Sequence, residues 1–464
     1  MSGGAISSYR EEIVNGPIMR TFFKLGVPPL ITRLIEVSYN VLDAFWLSMY
    51  SDLAVAVPRQ VWPVIFLFSA PMNALSAVGM SVISQYVGMR DYRKASISAS
   101  RLLTSSLLMG SLFFLLLFSL RGYIFSEIIS TPEEIYEWVM DYSAVISLTL
   151  LLQYISLSYQ TILQAVGDTR RPAVINAVAI SINTVLDPLL ILGIPPFPRT
   201  GVLGAALTDL LGAAINAFAL RGLIRRYRDM EVGLTWDLSG EWINLSLRIG
   251  LPILSMGLMN SLAFIAQLRL VNALGVLVVA AYSIGFVVAD IVDAALFGLT
   301  GASAIMIGQN LGANRAERAR EISLKASLTV FSLISLGVLM VFPLRVSLAD
   351  AFTDDEAILA EADAFLVYLI PTLPFFGLFM VGMSAGRGSG RTLVPTLIGI
   401  FRLWIVRIGL GYLMAFPMGM GSRGMWLSIS LSNLLAGLFS LIWLARGRWN
   451  VPIVRGNRGL DEGP

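Results

Sequence analysis

Twelve long apolar stretches, separated by short polar loops, occupy most of this chain. They run at about 22–48, 54–84, 97–120, 136–163, 172–194, 202–223, 243–271, 276–307, 323–344, 360–385, 393–416 and 424–445. A membrane span needs roughly 20 such residues. Within hydrocarbon only a helix or a closed barrel satisfies its own backbone, and stretches this long read as helices. The chain is therefore expected to be an all-α polytopic membrane protein. Composition agrees: 56% of the 464 residues are hydrophobic and only 14% are charged, against about 25% charged in soluble domains. The sequence contains no cysteine and no histidine, which removes thiol catalysis, disulfides and the usual zinc sites. No cofactor is expected. The polar start "MSGGAISSYREEIVNGPIMR" lacks the apolar core and small-residue cleavage site of a signal peptide.

Alternate loops carry the positive charge. Arg90, Arg93, Lys94 and Arg101 follow the second stretch, and Arg170 and Arg171 the fourth. Arg221, Arg225, Arg226 and Arg228 follow the sixth, and Arg315, Arg318, Arg320 and Lys325 the eighth. Arg387 and Arg391 follow the tenth, and Arg446, Arg448, Arg455 and Arg458 lie in the tail. The loop near 345–363 is instead acidic, with Asp350, Asp354, Asp355, Glu356, Glu361 and Asp363. The positive-inside rule then puts both termini in the cytoplasm and the protein in the cell membrane. A formal net charge of +3 gives no footing for nucleic acid.

The chain repeats itself. "LGVP" from Leu25 matches "IGLP" from Ile249, and "SQYVGMRDYRKA" from Ser84 matches "GQNLGANRAERA" from Gly308, both at an offset of 224. "GDTRRP" from Gly167 matches "GRTLVP" from Gly390 at 223. The expected units are an N-terminal six-helix lobe (1–225), a linker (226–242), a C-terminal six-helix lobe (243–446) and a tail (447–464). An even number of spans in each half makes the repeats parallel, related by a pseudo-two-fold axis along the membrane normal. Two such bundles flank a central cleft, and rocking one against the other gives alternating access. That is a transporter's design, and no nucleophile–base pair or metal motif suggests an enzyme. No oligomerisation signal stands out, so a monomer is expected.

Ionisable residues inside the spans mark the candidate site. A charged group at mid-bilayer costs roughly 3 kcal/mol on insertion scales and tends to face the bundle interior or a wet cavity. Arg33, Glu36, Asn40 and Asp43 fall within roughly 80° of one helix face at 100° per residue. Arg33 and Glu36 are spaced to pair. In the fifth stretch Asn176, Asn183 and Asp187 share a face, followed by Pro188. An Asp with an Asn four residues earlier offers hard oxygen ligands for an alkali cation, whereas a proton needs only one carboxylate. The sixth stretch adds Thr208 and Asp209, and the eighth Asp290 and Asp293, suited to drawing a cationic substrate into the cleft. The repeat counterparts of Asp43 and Asp187 are Gln267 and a position near Leu410, so the acidic set is not duplicated. Ion coupling is expected in the N-terminal half. Pro28, inside the first span, is a candidate pivot.

These segments together, "LGVPPLI…YNVLDAFWLS", "SQYVGMRDYRKA", "LQAVGDTRRPAVINAVAISINTVLDPLLILG…GVLGAALTD", "GQNLGANRAERA" and "RGSGRTLVPTLIGIFRLWIVRIGLGYL", resemble the multidrug and toxic compound extrusion (MATE) family over residues 20–446. A first-helix acid with none in the seventh is most similar to its DinF-like prokaryotic branch. The resemblance implies an outward-open cleft and exchange of Na⁺ or H⁺ for cationic amphipathic drugs. It implies a cation site of Asp43, Asn183 and Asp187, joined by a sixth-helix threonine, and cavity residues Tyr142 and Gln160 alongside Asn40. It also implies that the first helix bends at Pro28. Where the family reads "GAA.AT" this chain reads "GAALTD", placing Asp209 at the usual threonine position and Thr208 one residue early. The rival reading is a flippase for lipid-linked glycans, with Arg33, Arg402 and Arg407 meeting a diphosphate.

Overall fold

The computed structural model describes residues 5–454, except for the side chains of residues 288, 290, 291 and 293–295. Asp290 and Asp293 thus lie outside the described side chains. Among the described residues there is no strand. A short helix α1 (Ala5–Asn15) precedes twelve long helical segments. In the first half these are α2 (Ile18–Tyr50), α3 (Ala56–Gly88), α4 (Tyr92–Ile128), α5 (Glu133–Val166), α6 (Arg170–Leu192) and α7 (Val202–Ile224). In the second half they are α8 (Gly240–Asn272), α9 (Val276–Gly312), α10 (Ala316–Asp350), α11 (Glu356–Ser389), α12 (Leu393–Ala415) and α13 (Ser422–Arg446).

Every expected apolar stretch coincides with one of these segments to within a few residues, and the longest helices, such as α2, α4 and α9, run several residues past it. Among the described residues, ten of the segments are apolar enough to span a membrane on hydropathy alone, and α2 is not one of them. Its 33 residues include Arg33, Glu36 and Asp43, the residues that carry the argument for a site. The helix continues unbroken through Pro28 and Pro29. Thr32 Oγ1 donates to the Pro28 carbonyl (3.1 Å) and to the Ala173 carbonyl of α6 (3.3 Å), tying α2 to α6.

Two kinds of hydrophobic core define the architecture. At the end bearing the Arg- and Lys-rich loops, one buried cluster joins both halves, from Phe22 and Val78–Val87 to Leu299–Leu311 and Val381. Toward the other end the cores are separate. One contains only first-half residues such as Leu47, Val139 and Ala205, and another only second-half residues such as Val271, Phe365 and Trp426. The lobes are therefore apposed at the basic end and split at the acidic end, leaving a cleft that opens there.

The apposed end is closed by the repeated motif acting on itself. Gln85 of "SQYVG" donates to the Gly388 carbonyl in the second half (3.2 Å), and Gln309 of "GQNLG" donates to the Ala165 carbonyl in the first (2.8 Å). Gly88 and Gly312 let the two backbones touch: a Cβ on Gly88 would overlap the Gln309 carbonyl, and one on Gly312 the Gln85 carbonyl. Helix α1 lies across the same junction. Arg10 donates to Gly88 O (2.8 and 3.0 Å), while Asn310 and Arg315 donate to the carbonyls of Ile13 (3.3 Å) and Val14 (3.0 Å). The sequence alone marks this segment only as a polar start. The linker between α7 and α8 is also fixed, since Arg101 of α4 holds Asp237 through its carbonyl (2.8 Å) and carboxylate (2.6 Å).

Candidate functional site

Four helices of the first lobe bring acidic and hydroxyl side chains together in its interior. Asp187 of α6 is fully buried, and its Oδ1 accepts a short hydrogen bond from Thr208 Oγ1 of α7. Asn183, one turn earlier, is also buried. Oriented to satisfy its amide, it donates to the carbonyls of Ala179 (3.3 Å) and Thr208 (3.0 Å). Gly212 makes room for it, because a Cβ there would overlap the Asn183 side chain. The spacing that put Asn183 and Asp187 on one face thus buries both against α7.

Asp43 of α2 and Asp209 of α7 are half-buried beside this pair. Tyr39, one turn before Asp43, donates its hydroxyl to Asp209 Oδ1 at 3.0 Å. Tyr142 of α5 is buried within electrostatic reach of Asp43, Asp187 and Asp209. Asp43 Oδ1 and Asp187 Oδ2 are buried and make no hydrogen bond, and none of the three carboxylates is ion-paired among the described residues. In low dielectric a bare carboxylate oxygen is costly unless a proton or cation meets it. Such a group has the chemistry to take up positive charge. Its carboxylates do not converge on one point: no set of three acidic side chains is placed to hold a metal ion among the described residues. A sodium ion here would rely on Asn183 and hydroxyl oxygens as much as on carboxylates.

The departure at "GAALTD" resolves into a division of labour. Thr208 faces Asp187, and Asp209, one residue on, faces Tyr39. Thr208→Val keeps the shape but strips Asp187 of its one side-chain donor. Leaving a buried acceptor unmet costs about 1–3 kcal/mol, so the purified variant should melt at a lower temperature than wild type. An unchanged melting curve would show that Asp187 is met by water or a proton instead.

Other expected residues fall elsewhere. Arg33 and Glu36 pair at 2.7 Å, and Glu36 continues to Asn176 (3.0 Å) and from there to Asn216 (3.0 Å), a second polar string nearer the basic end. Arg33 therefore offers no free charge to a diphosphate. Asn40 is exposed on α2. Gln160 is half-buried on α5, eighteen residues from Tyr142, which puts the two on one face of the helix about 27 Å apart along its axis. Tyr39 and Gly212 were not singled out from the sequence. Tyr39's place one turn from Asp43 was the available signal.

The equivalent positions of the second lobe are not acidic. Gln267, counterpart of Asp43, is buried and neutral. The counterpart of the Asp187 turn is a π-helix, Phe401–Leu410, carrying buried Arg402 and Arg407.

Comparison with known proteins agrees with the two-lobed helical fold. The family model described as MatE matches residues 28–189 and again 252–413, one match to each repeat. A Shewanella oneidensis protein named FAD transporter is 27% identical over 92% of this chain and 95% of its own. A Bacillus subtilis protein named probable multidrug resistance protein YoeA is 24% identical over 92% of this chain and 94% of its own. In fold, a solved structure of a MOP superfamily transporter from Pyrococcus furiosus superposes with a TM-score of 0.85 at 23% identity, covering 93% of this chain and 96% of that one. With its two repeats, helical lobes and both family matches, this chain belongs to the MatE family, a family of membrane transporters and not of enzymes.

Proposed function

We propose that this chain is an efflux antiporter of the cell membrane, exchanging H⁺ or Na⁺ for amphipathic cationic compounds. The observation that carries the reading is the group of Asp43, Asp187 and Asp209 inside one lobe, without an ion pair among the described residues, with Asn183 and Thr208 as its neutral ligands. The multidrug-resistance names of several relatives support small-molecule export over glycan flipping. The basic end is cytoplasmic by its arginine-rich loops. In the conformation described, the cytoplasmic side is shut by the Gln85 and Gln309 bonds and the cleft faces outward. Residues 1–225 and 243–446 act as the two rocking lobes of a monomer, with Pro28 as the pivot of α2.

An incoming ion neutralises the acidic group and alters the packing of α2 against α6 and α7. That change releases drug outward, and ion release to the cytoplasm resets the site. Ion and drug must prefer opposite conformations, since a ligand shifts an equilibrium only by its difference in affinity for the two states. The test is ethidium movement in proteoliposomes under an imposed Na⁺ gradient and, separately, a pH gradient. Export driven by one of them supports the reading and names the ion. Absence of export under either gradient, in protein that melts cooperatively, rejects it.

A further inference from the structure

The two glutamines that tie the basic end are repeat counterparts, but they are not equally supported. The side-chain oxygen of Gln309 is buried and has no hydrogen-bond partner among the described residues. Gln85, fully buried, is met at both ends of its amide. Its Nε2 donates to the Gly388 carbonyl (3.2 Å), and its Oε1 accepts from the backbone N–H of Ile453 (2.8 Å). Ile453 lies in the segment that follows α13, outside every span.

That segment is fixed in place. Arg320 of α10 donates to the carbonyls of Ala445 (3.0 Å) and Gly447 (2.9 Å) and to Asn450 Oδ1 (3.2 Å). Trp449 is buried, donates from Nε1 to the Leu444 carbonyl (3.1 Å) and stands 5.8 Å from Trp443, ring centre to ring centre. Trp449 and Val454 both belong to the buried cluster that joins the halves. The side chain of Ile453 packs against Gly390, where an added Cβ would lie 2.8 Å from it. Arg320, Trp443 and Gly390 are all residues of the second half. The segment therefore rides on the second lobe, and its tip reaches across to α3 of the first.

A glutamine amide has a donor end and an acceptor end. With the N–H of Ile453 facing it, Gln85 has to turn its oxygen to the tail and its NH₂ to Gly388. Turned over, it would set a donor against the Ile453 N–H and an acceptor against the Gly388 carbonyl. We propose that residues 447–454 form a strap that orients Gln85 and so holds the basic end shut, with Ile453 as a positioning residue that acts through its backbone N–H. The inference rests on the reading of the basic end as a gate that opens during transport. It goes further by making the closed state depend on a segment beyond the twelve spans. When the lobes part at that end, the strap stays with the second lobe and releases Gln85.

The test is the rate at which an impermeant maleimide labels single cysteines in the chain in nanodiscs, there being no native cysteine. Ala165→Cys reports from the Gln309 clasp and Ser389→Cys from beside the strap, and both positions are fully buried. Ending the chain after Asn450 removes the tip and keeps Trp449. Both cysteines should then label about 2- to 10-fold faster, the range for losing one hydrogen bond of this kind. Ending it after Val454 keeps the strap and should leave both rates unchanged. I453P deletes the N–H and should match the shorter chain, whereas I453A keeps the N–H and should stay near wild type. Should the shorter chain lose its cooperative melting, the I453P and I453A pair decides. Faster labelling of Ser389→Cys alone would mark the segment as a local cover and overturn the assignment. So would unchanged rates at both cysteines, or equal acceleration by both truncations. Gradient-driven ethidium export with no effect of the strap discards the strap and keeps the exporter. A strap effect without ethidium export does the reverse.

Discussion

Asp187→Asn should bring gradient-driven ethidium export down to the level of protein-free liposomes, with the protein still folded. The reasoning starts from burial. Asp187 is wholly enclosed, one oxygen bonded to Thr208 and the other bare. An asparagine fills the same volume and can still accept from Thr208, so the fold should survive. It cannot bind a proton or lend a full charge to a cation. Moving a two-state protein from one face to the other takes a differential affinity on the order of 10⁴-fold. A neutral amide supplies almost none of that, so coupling fails altogether. Asp43→Asn should act in the same direction with a smaller loss, because Asp43 is half-buried and shares its neighbourhood with Asp209. The two variants measured beside wild type, at equal reconstitution, rank the carboxylates. Full export by Asp187→Asn would move the coupling role to Asp43 and Asp209.

Gly312→Val should shift the resting conformation as strongly. A Cβ on Gly312 runs into the Gln85 carbonyl, which belongs to the backbone of α3 and cannot swing aside. Overpacking of this kind costs about 1–3 kcal/mol, a shift on the order of 10- to 100-fold against the closed basic end. The chain has no native cysteine, so a single Ser389→Cys gives a clean reporter. Ser389 is fully buried at that end. Its labelling by an impermeant maleimide should be slow in the wild-type background and faster with Gly312→Val. Gly122→Val, where an added Cβ meets nothing within 4 Å, is the control and should leave the rate alone. Equal rates in all three would show that the α3–α9 crossing is not what keeps this end shut.

Much of this was readable before any coordinates. Span number and lobe symmetry follow from hydropathy and from repeats at 223–224, because lipid leaves the backbone few choices. Asp43, Asn183, Asp187, Thr208 and Asp209 were legible for the same reason: a polar side chain in an apolar run has to be explained. Residues of ordinary type were not. Tyr39 looks like any interfacial tyrosine until its hydroxyl is found on Asp209. Gly212 is one glycine among 41 until Asn183 is seen against it. Gln85 and Gln309 stood in the quoted repeat, yet a periodic match says that two positions are equivalent and not that each reaches into the opposite half. Helix α1 was missed because its role lies in carbonyls offered to Asn310 and Arg315, which no side-chain pattern records.

The crossed bonds of Gln85 and Gln309 also bear on speed. A single strong clasp would have to break in one step, and the whole of its energy would sit in the barrier. Two modest clasps at separate points can release in either order, so the molecule has two parallel routes over two lower barriers. Each glutamine bond is of the kind that contributes about 0.5–1.5 kcal/mol, small enough for thermal motion to undo one while the other holds register. A cycle built this way should tolerate damage to one clasp with a change in tempo, while its direction stays set by the ion gradient.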